Sequence, residues 1–174
     1  MALAGGPDLL ALDEPTTGLD VTTQAAILAL LAGLQRQDGM AMICVSHDLG
    51  VLARLCGRLA VMYAGRLIEV GPTAALPARP AHPYAAALLA SVPRLSQPAL
   101  PEPIQGAPPT GAKRPAGCGF APRCALTTAR CGQERPPLAE IAPQRRAACF
   151  HALTAPHPPP PLCHPACARP PPPP

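Results

Sequence analysis

The stretch LLALDEPTTGLD, residues 9–20, sets four apolar residues directly before two adjacent carboxylates, Asp13 and Glu14. A short apolar run that ends in this way predicts a central strand, buried on both faces of a sheet. A second run, MAMICV at residues 40–45, predicts another buried strand, and it ends close to His47. Because open α/β sheets bind ligands at the carboxyl ends of their strands, these three polar residues mark a candidate site.

Helical periodicity separates the two predicted strands. Asp20 is placed to cap a helix, and the apolar residues that follow it recur on one helical face: Ile27, Leu30, Leu31 and Leu34. Gly39 suits a left-handed cap at the end of this helix. A short helix over residues 48–56 and a hairpin over residues 58–70 follow. This alternation of strand and helix predicts the α/β class.

The chemistry of the candidate site points to phosphate and a divalent cation. A carboxylate such as Asp13 can hold Mg²⁺, often through a water molecule. The neighbouring Glu14 can orient a water for in-line attack on phosphorus, and His47 can donate a hydrogen bond to a terminal phosphate. The alternative interpretation is that Asp13 and Glu14 begin an ordinary loop and that His47 is a surface turn residue.

Longer segments resemble a known family. Residues 9–28 (LLALDEPTTGLDVTTQAAIL) and 42–71 (MICVSHDLGVLARLCGRLAVMYAGRLIEVG) look like the second half of an ABC-transporter ATPase. The VTTQ after Asp20 and the HPYAAALLASVP at residues 82–93 are typical of the ATP-binding subunits of oligopeptide, dipeptide and nickel importers. The resemblance covers residues 1–149 and implies the C-terminal part of a P-loop NTPase sheet with its helices.

The resemblance also implies roles for single residues. Asp13 would hold Mg²⁺, Glu14 would polarise the hydrolytic water, and His47 would contact the γ-phosphate of ATP. Gly18 and Asp20 would belong to the loop that touches a second ABC ATPase subunit. The further partners implied are transmembrane permease subunits and, indirectly, an extracytoplasmic solute-binding protein. The implied location is cytoplasmic, peripheral on the inner face of the membrane.

Other parts of an ABC ATPase are missing from the sequence. The phosphate-binding loop requires G-x-x-x-x-G-K-[S/T], but the only lysine, Lys113, lies in the unrelated context GAKRP. Neither an LSGGQ signature nor a Q-loop is present. We therefore expect a truncated subunit that binds ATP weakly and does not hydrolyse it alone, so its status as an enzyme is open. The alternatives are a non-catalytic metal-binding module and a non-functional gene fragment.

A cysteine cluster lies in the second half of the chain. The spacing C-x5-C-x6-C-x17-C is wider than that of most zinc sites, and four thiolates can also ligate an iron–sulfur cluster. From spacing alone, an iron–sulfur cluster, Zn²⁺ and free thiols all stay open. The resemblance implies a [4Fe–4S] cluster whose ligands would be Cys118, Cys124, Cys131 and Cys149.

Composition divides the chain into parts. The 28 prolines crowd into the second half, which predicts three regions: residues 1–72 as the C-terminal portion of the nucleotide-binding domain, 73–153 as an irregular Pro/Cys-rich accessory domain, and 154–174 as a disordered proline-rich tail. The net charge is +4 with scattered arginines, so we expect no nucleic-acid partner. No apolar run reaches the roughly 18 residues of a membrane span.

Overall fold

The computed structural model describes residue 3 and residues 5–37, 39–92, 104–110 and 114–152. The proline-rich tail predicted for residues 154–174 lies outside these residues. The chain divides into two compact units, the first ending at Gly57 and the second beginning at Arg58. Within the described residues, no helix combines the length and the apolar character that crossing a membrane requires.

The first unit is built on a pair of parallel strands. Strand β1 (Leu9–Asp13) pairs with β2 (Ala41–Val45), and Asp13 lies opposite Val45. Helix α1 (Val21–Gln37) makes the connection between them, and α2 (Leu49–Leu55) follows β2. Both helices begin as the sequence predicts. The Asp20 carboxylate accepts hydrogen bonds from the first turn of α1, and the Asp48 carboxylate accepts them from the first turn of α2.

Only one face of this two-stranded sheet is covered in the described residues. The face toward the helices forms the core of the unit, which comprises Leu10, Leu28, Leu31, Met40, Val51 and Leu55. On the opposite face, Leu9, Ile43 and Val45 are each more than half exposed. The prediction of strands buried on both faces is therefore wrong for this chain, because successive side chains of a strand point to opposite sides and only one side is packed.

The predicted apolar face of α1 is correct in part. Leu31 is buried, and Ile27 and Leu34 pack against the core, but Leu30 is 59% exposed. Leu28 is buried instead, at 4% exposure. The buried stripe of α1 is thus rotated from the predicted one, because the sheet supplies an apolar surface on only one side of the helix.

The second unit is an antiparallel sheet with strand order β3-β4-β6-β5. Its strands are β3 (Arg58–Tyr63), β4 (Arg66–Pro72), β5 (Ala139–Ala142) and β6 (Arg145–Ala147). The predicted hairpin is confirmed, and its two-residue turn, Ala64 and Gly65, has φ angles of 48° and 76°, the sign that tight hairpin turns require. The unit also contains α3 (Pro83–Ala90), a 3-10 helix (Ala121–Arg123) and α4 (Ala129–Gln133).

Part of the region expected to be irregular is thus regular. The chain between Cys118 and Cys149 supplies β5 and β6, and β6 joins the hairpin by pairing with β4. The division of the chain into a nucleotide-binding portion and an accessory domain at residue 72 stays a prediction.

A buried ion pair links strand β4 to strand β6. Glu69 on β4 is fully buried, and Arg145 on β6 donates a hydrogen bond of 3.1 Å to its Oε1. The Glu69 carboxylate also accepts hydrogen bonds from the backbone N–H groups of Ala81 and His82, at 2.8–3.0 Å. Burial raises the pKa of Glu69, and these donors oppose the shift. The carboxylate therefore joins β4, β6 and the segment that leads into α3.

We expect Arg145→Met to destabilise the second unit strongly. The variant leaves the buried Glu69 carboxylate without its cation, and breaking a buried ion pair in this way costs about 3–5 kcal/mol. Chemical denaturation of the full chain gives the change in the free energy of unfolding. Arg146→Met is the matched control, because Arg146 is the next residue of β6 and is exposed. Equal stabilities of the two variants would contradict this account.

Candidate functional site

The acidic pair lies where β1 ends and the chain turns. The backbone N–H of Glu14 donates to the Val45 carbonyl at 2.8 Å, which extends the β1–β2 pairing by one residue. Glu14 has a φ of 48°, a left-handed conformation that is uncommon for a non-glycine residue. A turn follows in which the Thr17 N–H donates to the Glu14 carbonyl, and Gly18 takes a φ of 78°. This turn directs the Glu14 side chain toward the end of β2.

Glu14 and His47 are in direct contact. The Glu14 Oε2 atom lies 2.8 Å from Nδ1 of His47, and Oε1 accepts a hydrogen bond of 3.0 Å from the His47 backbone N–H. The Thr17 hydroxyl donates to the same carboxylate at 2.9 Å. The structure thus brings together two residues that the sequence places 33 positions apart. Thr17 was missed by sequence reasoning, although a Ser or Thr three residues after an acid can make this local contact.

The contact changes the protonation of both groups. The hydrogen bond to Glu14 raises the pKa of His47 above its ordinary value, and the same bond lowers the pKa of Glu14. The His47 side chain is 79% exposed, so water screens the attraction and the pair contributes little to stability. Its main effect is to orient the imidazole and to keep it protonated at a higher pH than a free histidine.

The other three predicted nucleotide-site residues have different surroundings. Asp13 is exposed at the end of β1, and its carboxylate accepts no hydrogen bond from any described residue. That carboxylate is therefore open to a cation. Asp20 instead bonds to its own helix, accepting from the backbone N–H of Thr22 and Thr23 and from the Thr23 hydroxyl. Gly18 is exposed in the turn between them.

The four predicted metal ligands line one small cavity in the second unit. Cys118, Cys124, Cys131 and Cys149 share its wall with the rings of Phe120 and Phe150. Burial raises the pKa of the Cys124 thiol, and it raises that of Cys149 to about 11. Within the described residues, no group of three or more potential ligands is arranged to hold a metal ion. The role of these cysteines as metal ligands therefore stays a prediction.

His82 adds a polar group to this apolar cavity. The residue is 1% exposed, and its Nδ1 atom accepts a hydrogen bond of 3.0 Å from the Tyr84 backbone N–H, which caps α3. Its other ring nitrogen, Nε2, is buried and has no hydrogen-bond partner among the residues that the structure describes. Burial lowers the pKa of His82 to about 4, so the ring is neutral. His82 therefore brings one polar atom, Nε2, to a cavity whose wall also includes the four thiols and two phenylalanine rings.

The remaining described cysteines are not part of this cavity. Cys44 on β2 and Cys56 at the end of α2 both pack against the core of the first unit. This is the structural role that the sequence predicts for them. Burial raises the pKa of both thiols, which makes them poor nucleophiles at neutral pH.

Comparison with known proteins identifies relatives over most of the chain. A family model described as the oligopeptide/dipeptide transporter C-terminal region matches residues 68–131. A probable peptide ABC transporter ATP-binding protein of Sinorhizobium fredii is 48% identical over 155 residues, which cover 87% of this chain and 46% of that protein. An oligopeptide transport ATP-binding protein of Salmonella typhimurium is 47% identical over 151 residues, which cover 86% of this chain and 45% of that protein.

The chain thus spans less than half the length of these relatives. It corresponds to the C-terminal part of peptide ABC transporter ATP-binding proteins. This confirms the resemblance drawn from the sequence.

We expect the Glu14→Gln substitution to lower the pKa of His47 toward its ordinary value of about 6.5. A neutral amide removes the ion pair that favours the imidazolium. The contribution of protonated His47 to the free energy of unfolding is fully present below its ordinary pKa. That contribution is lost as the pH rises through the raised pKa of His47. The contribution of ionised Glu14 to the free energy of unfolding is lost as the pH falls through the lowered pKa of Glu14.

NMR titration of the His47 ring protons measures this change. Asp20→Asn is the control, because it removes a carboxylate from the same unit that does not contact His47. A His47 pKa that is the same in Glu14→Gln as in the unmodified chain would contradict the ion pair.

Proposed function

We propose that this chain, as the C-terminal part of a peptide ABC transporter ATP-binding protein, supplies the hydrolytic residues of a peptide importer. The observation that carries the proposal is the contact between Glu14 and His47 at the carboxyl ends of two paired parallel strands. That position is where α/β sheets bind nucleotides. The names of the relatives given above, which include peptide and oligopeptide transport, support peptide as the solute.

Each side chain has a role that its surroundings support. The open carboxylate of Asp13 is suited to hold Mg²⁺ through water and phosphate oxygens. Glu14 accepts the proton of the attacking water, and its lowered pKa keeps it ionised and ready to act as a base. His47 uses Nδ1 to contact Glu14, so its exposed Nε2–H is left to donate to the γ-phosphate. The imidazolium charge that Glu14 maintains strengthens this donor.

The exposed apolar face of the first unit supports a larger assembly. Leu9, Ile43 and Val45 lie on the sheet face that α1 and α2 do not cover. We propose that further parts of an ATP-binding protein, including its phosphate-binding loop, pack on this sheet. A second ATPase subunit would meet the turn at Gly18, and permease subunits and a solute-binding protein would complete the importer. In this proposal the chain is cytoplasmic and peripheral on the inner face of the membrane.

The cysteine cavity has a separate role in this proposal. We propose that its four thiols hold a [4Fe–4S] cluster, with Zn²⁺ as the alternative. A bound cluster would crosslink α4, the 3-10 helix and the residues that follow β6, and it would supply a one-electron centre. A module that binds only metal is less favoured as the function of the whole chain, because the similarity to ATP-binding proteins covers 87% of it and so includes the first unit.

A chimaeric protein tests the ATP-binding role. The N-terminal part of the Salmonella relative, joined at the aligned position to this chain, restores a complete ATP-binding protein. We expect the chimaera to hydrolyse ATP. We expect Glu14→Gln to reduce kcat by about 10²–10⁴-fold, since the variant removes the general base. His47→Ala removes one hydrogen-bond donor to the transferred phosphate, and the expected loss is about 10²–10³-fold.

Asp8→Asn provides the matched control for charge. It removes a carboxylate just before β1, at the end of the strand opposite Glu14, and should leave kcat unchanged. Phosphate release assays on purified protein give the rates. A chimaera that keeps full turnover with Glu14→Gln would refute the proposed role of this residue.

A further inference from the structure

The second unit contains a larger cavity at the hairpin end of its sheet. Its volume is about 460 Å³, which is within the range of small-molecule binding sites. The apolar part of its wall comes from β4 and from residues next to β5 and β6, namely Leu67, Ile68, Leu138 and Ala148. The predicted nucleotide-site residues all lie in the first unit, so the function proposed above makes no use of this cavity.

Close main-chain contacts hold the wall of this cavity in place. The backbone N–H of Ala148 donates to the Ile68 carbonyl at 2.8 Å, and that of Cys118 donates to the Cys131 carbonyl at 2.8 Å. At Gly117 the chain passes so close to α4 that a Cβ atom would collide with the Cys131 carbonyl oxygen. The fold itself therefore forms the cavity, and a preformed site lowers the cost of ordering side chains and loops when a ligand binds.

Three arginines line the same cavity, Arg66, Arg114 and Arg135. None of the described lining residues is acidic, and no described carboxylate forms an ion pair with any of these three arginines. Two other arginines of the unit, Arg130 and Arg145, do form ion pairs. Positive charge that is gathered in a concave site without a counter-charge attracts an anion.

The surroundings of the guanidinium groups leave donors available for such an anion. Arg135 donates from Nε to the Ala116 carbonyl at 2.7 Å, so its Nη atoms can donate elsewhere. The Arg114 guanidinium lies over Gly65 of the hairpin turn, where a Cβ atom would be 3.5 Å from both Nη atoms. Arg66 follows this turn directly, at the start of β4. The turn therefore brings two arginines to one end of the cavity.

We propose that this cavity binds a small phosphate monoester whose organic group is apolar. A phosphate monoester carries a charge of about −1.5 to −2 and three acceptor oxygens, so it can accept hydrogen bonds from more than one guanidinium. A carboxylate, in contrast, matches the fork of a single arginine. The organic group of the ligand packs on Leu67, Ile68 and Leu138. Phosphate monoesters occur as soluble metabolites and as lipid headgroups, and both sources present the same chemistry to the arginines.

Isothermal titration calorimetry of the full chain tests this site, with phenyl phosphate as the soluble probe in a buffer free of phosphate. We expect saturable binding that weakens as the salt concentration rises. Inorganic phosphate should bind more weakly, because it lacks the apolar group. Phenol should also bind more weakly, because it lacks the charge.

A sedimentation assay distinguishes the two sources of the ligand. The full chain is mixed with vesicles of phosphatidylcholine that contain phosphatidic acid, or with vesicles of phosphatidylcholine alone. Sedimentation that requires phosphatidic acid, without binding of phenyl phosphate, would identify a lipid headgroup as the ligand. Binding of phenyl phosphate without sedimentation would identify a soluble one.

Arginine substitutions connect the binding to this cavity. Arg66→Met and Arg114→Met each remove one guanidinium, and both arginines are exposed, so we expect these variants to fold. Each should weaken binding about tenfold, through the loss of one charge-assisted hydrogen bond. Arg146→Met is the matched control, because it removes an exposed arginine that does not line the cavity, and its Kd should equal that of the unmodified chain.

Three results would overturn the inference. Equal weakening by all three variants would assign the binding to net charge rather than to the cavity. Equal affinities for inorganic phosphate and phenyl phosphate would show that the apolar wall takes no part. Failure of the full chain to bind either phenyl phosphate or the vesicles with phosphatidic acid would refute the site. The proposed ATP-binding role would be unaffected by any of these results, because it rests on residues of the first unit.

Discussion

The second unit depends on the carboxylate of Glu69, which is fully buried and must be compensated. Moving a carboxylate out of water costs several kcal/mol, and only a cation with additional hydrogen bonds offsets this. Here Arg145 and the backbone N–H groups of Ala81 and His82 supply both. These donors come from two separate parts of the chain, β6 and residues 81–82, so satisfying one carboxylate fixes β6 and the start of α3 relative to β4. The consequence of this network is the specific placement of β6 and α3 against β4, rather than a net gain in the free energy of unfolding.

The first unit uses a carboxylate in the opposite way. Glu14 and His47 are accessible to solvent, so their ion pair adds little to the free energy of unfolding. The unit still accepts a left-handed backbone at Glu14, which costs about 1–3 kcal/mol, so that the carboxylate reaches the end of β2. Strain that is retained without a gain in stability is a feature of functional sites. The core formed by β1, β2 and the two helices supplies the stability that tolerates it.

The sequence predicts the local features of both units and misses most of the long-range ones. Parallel strands bring their carboxyl ends together, which is why the approach of Glu14 to His47 could be anticipated. The burial of single side chains could not be anticipated, because an apolar run such as residues 9–12 does not reveal which face of the strand packs against a partner. For the same reason the periodicity of α1 predicts a buried Leu30, which is exposed. The pairing of Glu69 with Arg145 spans 76 positions and follows no local spacing.

His82 shows how local sequence signals and long-range contacts combine at one residue. The sequence alone indicates a helix start, since His82 precedes a proline at the first helical position. That function uses only Nδ1, and a serine or asparagine would serve it as well without placing a large ring in the interior. The histidine therefore differs from a simple cap by its second nitrogen, which the Glu69 network holds at the wall of the cysteine cavity. The ring therefore carries a buried Nε2 atom that the cap does not use and that no described residue pairs.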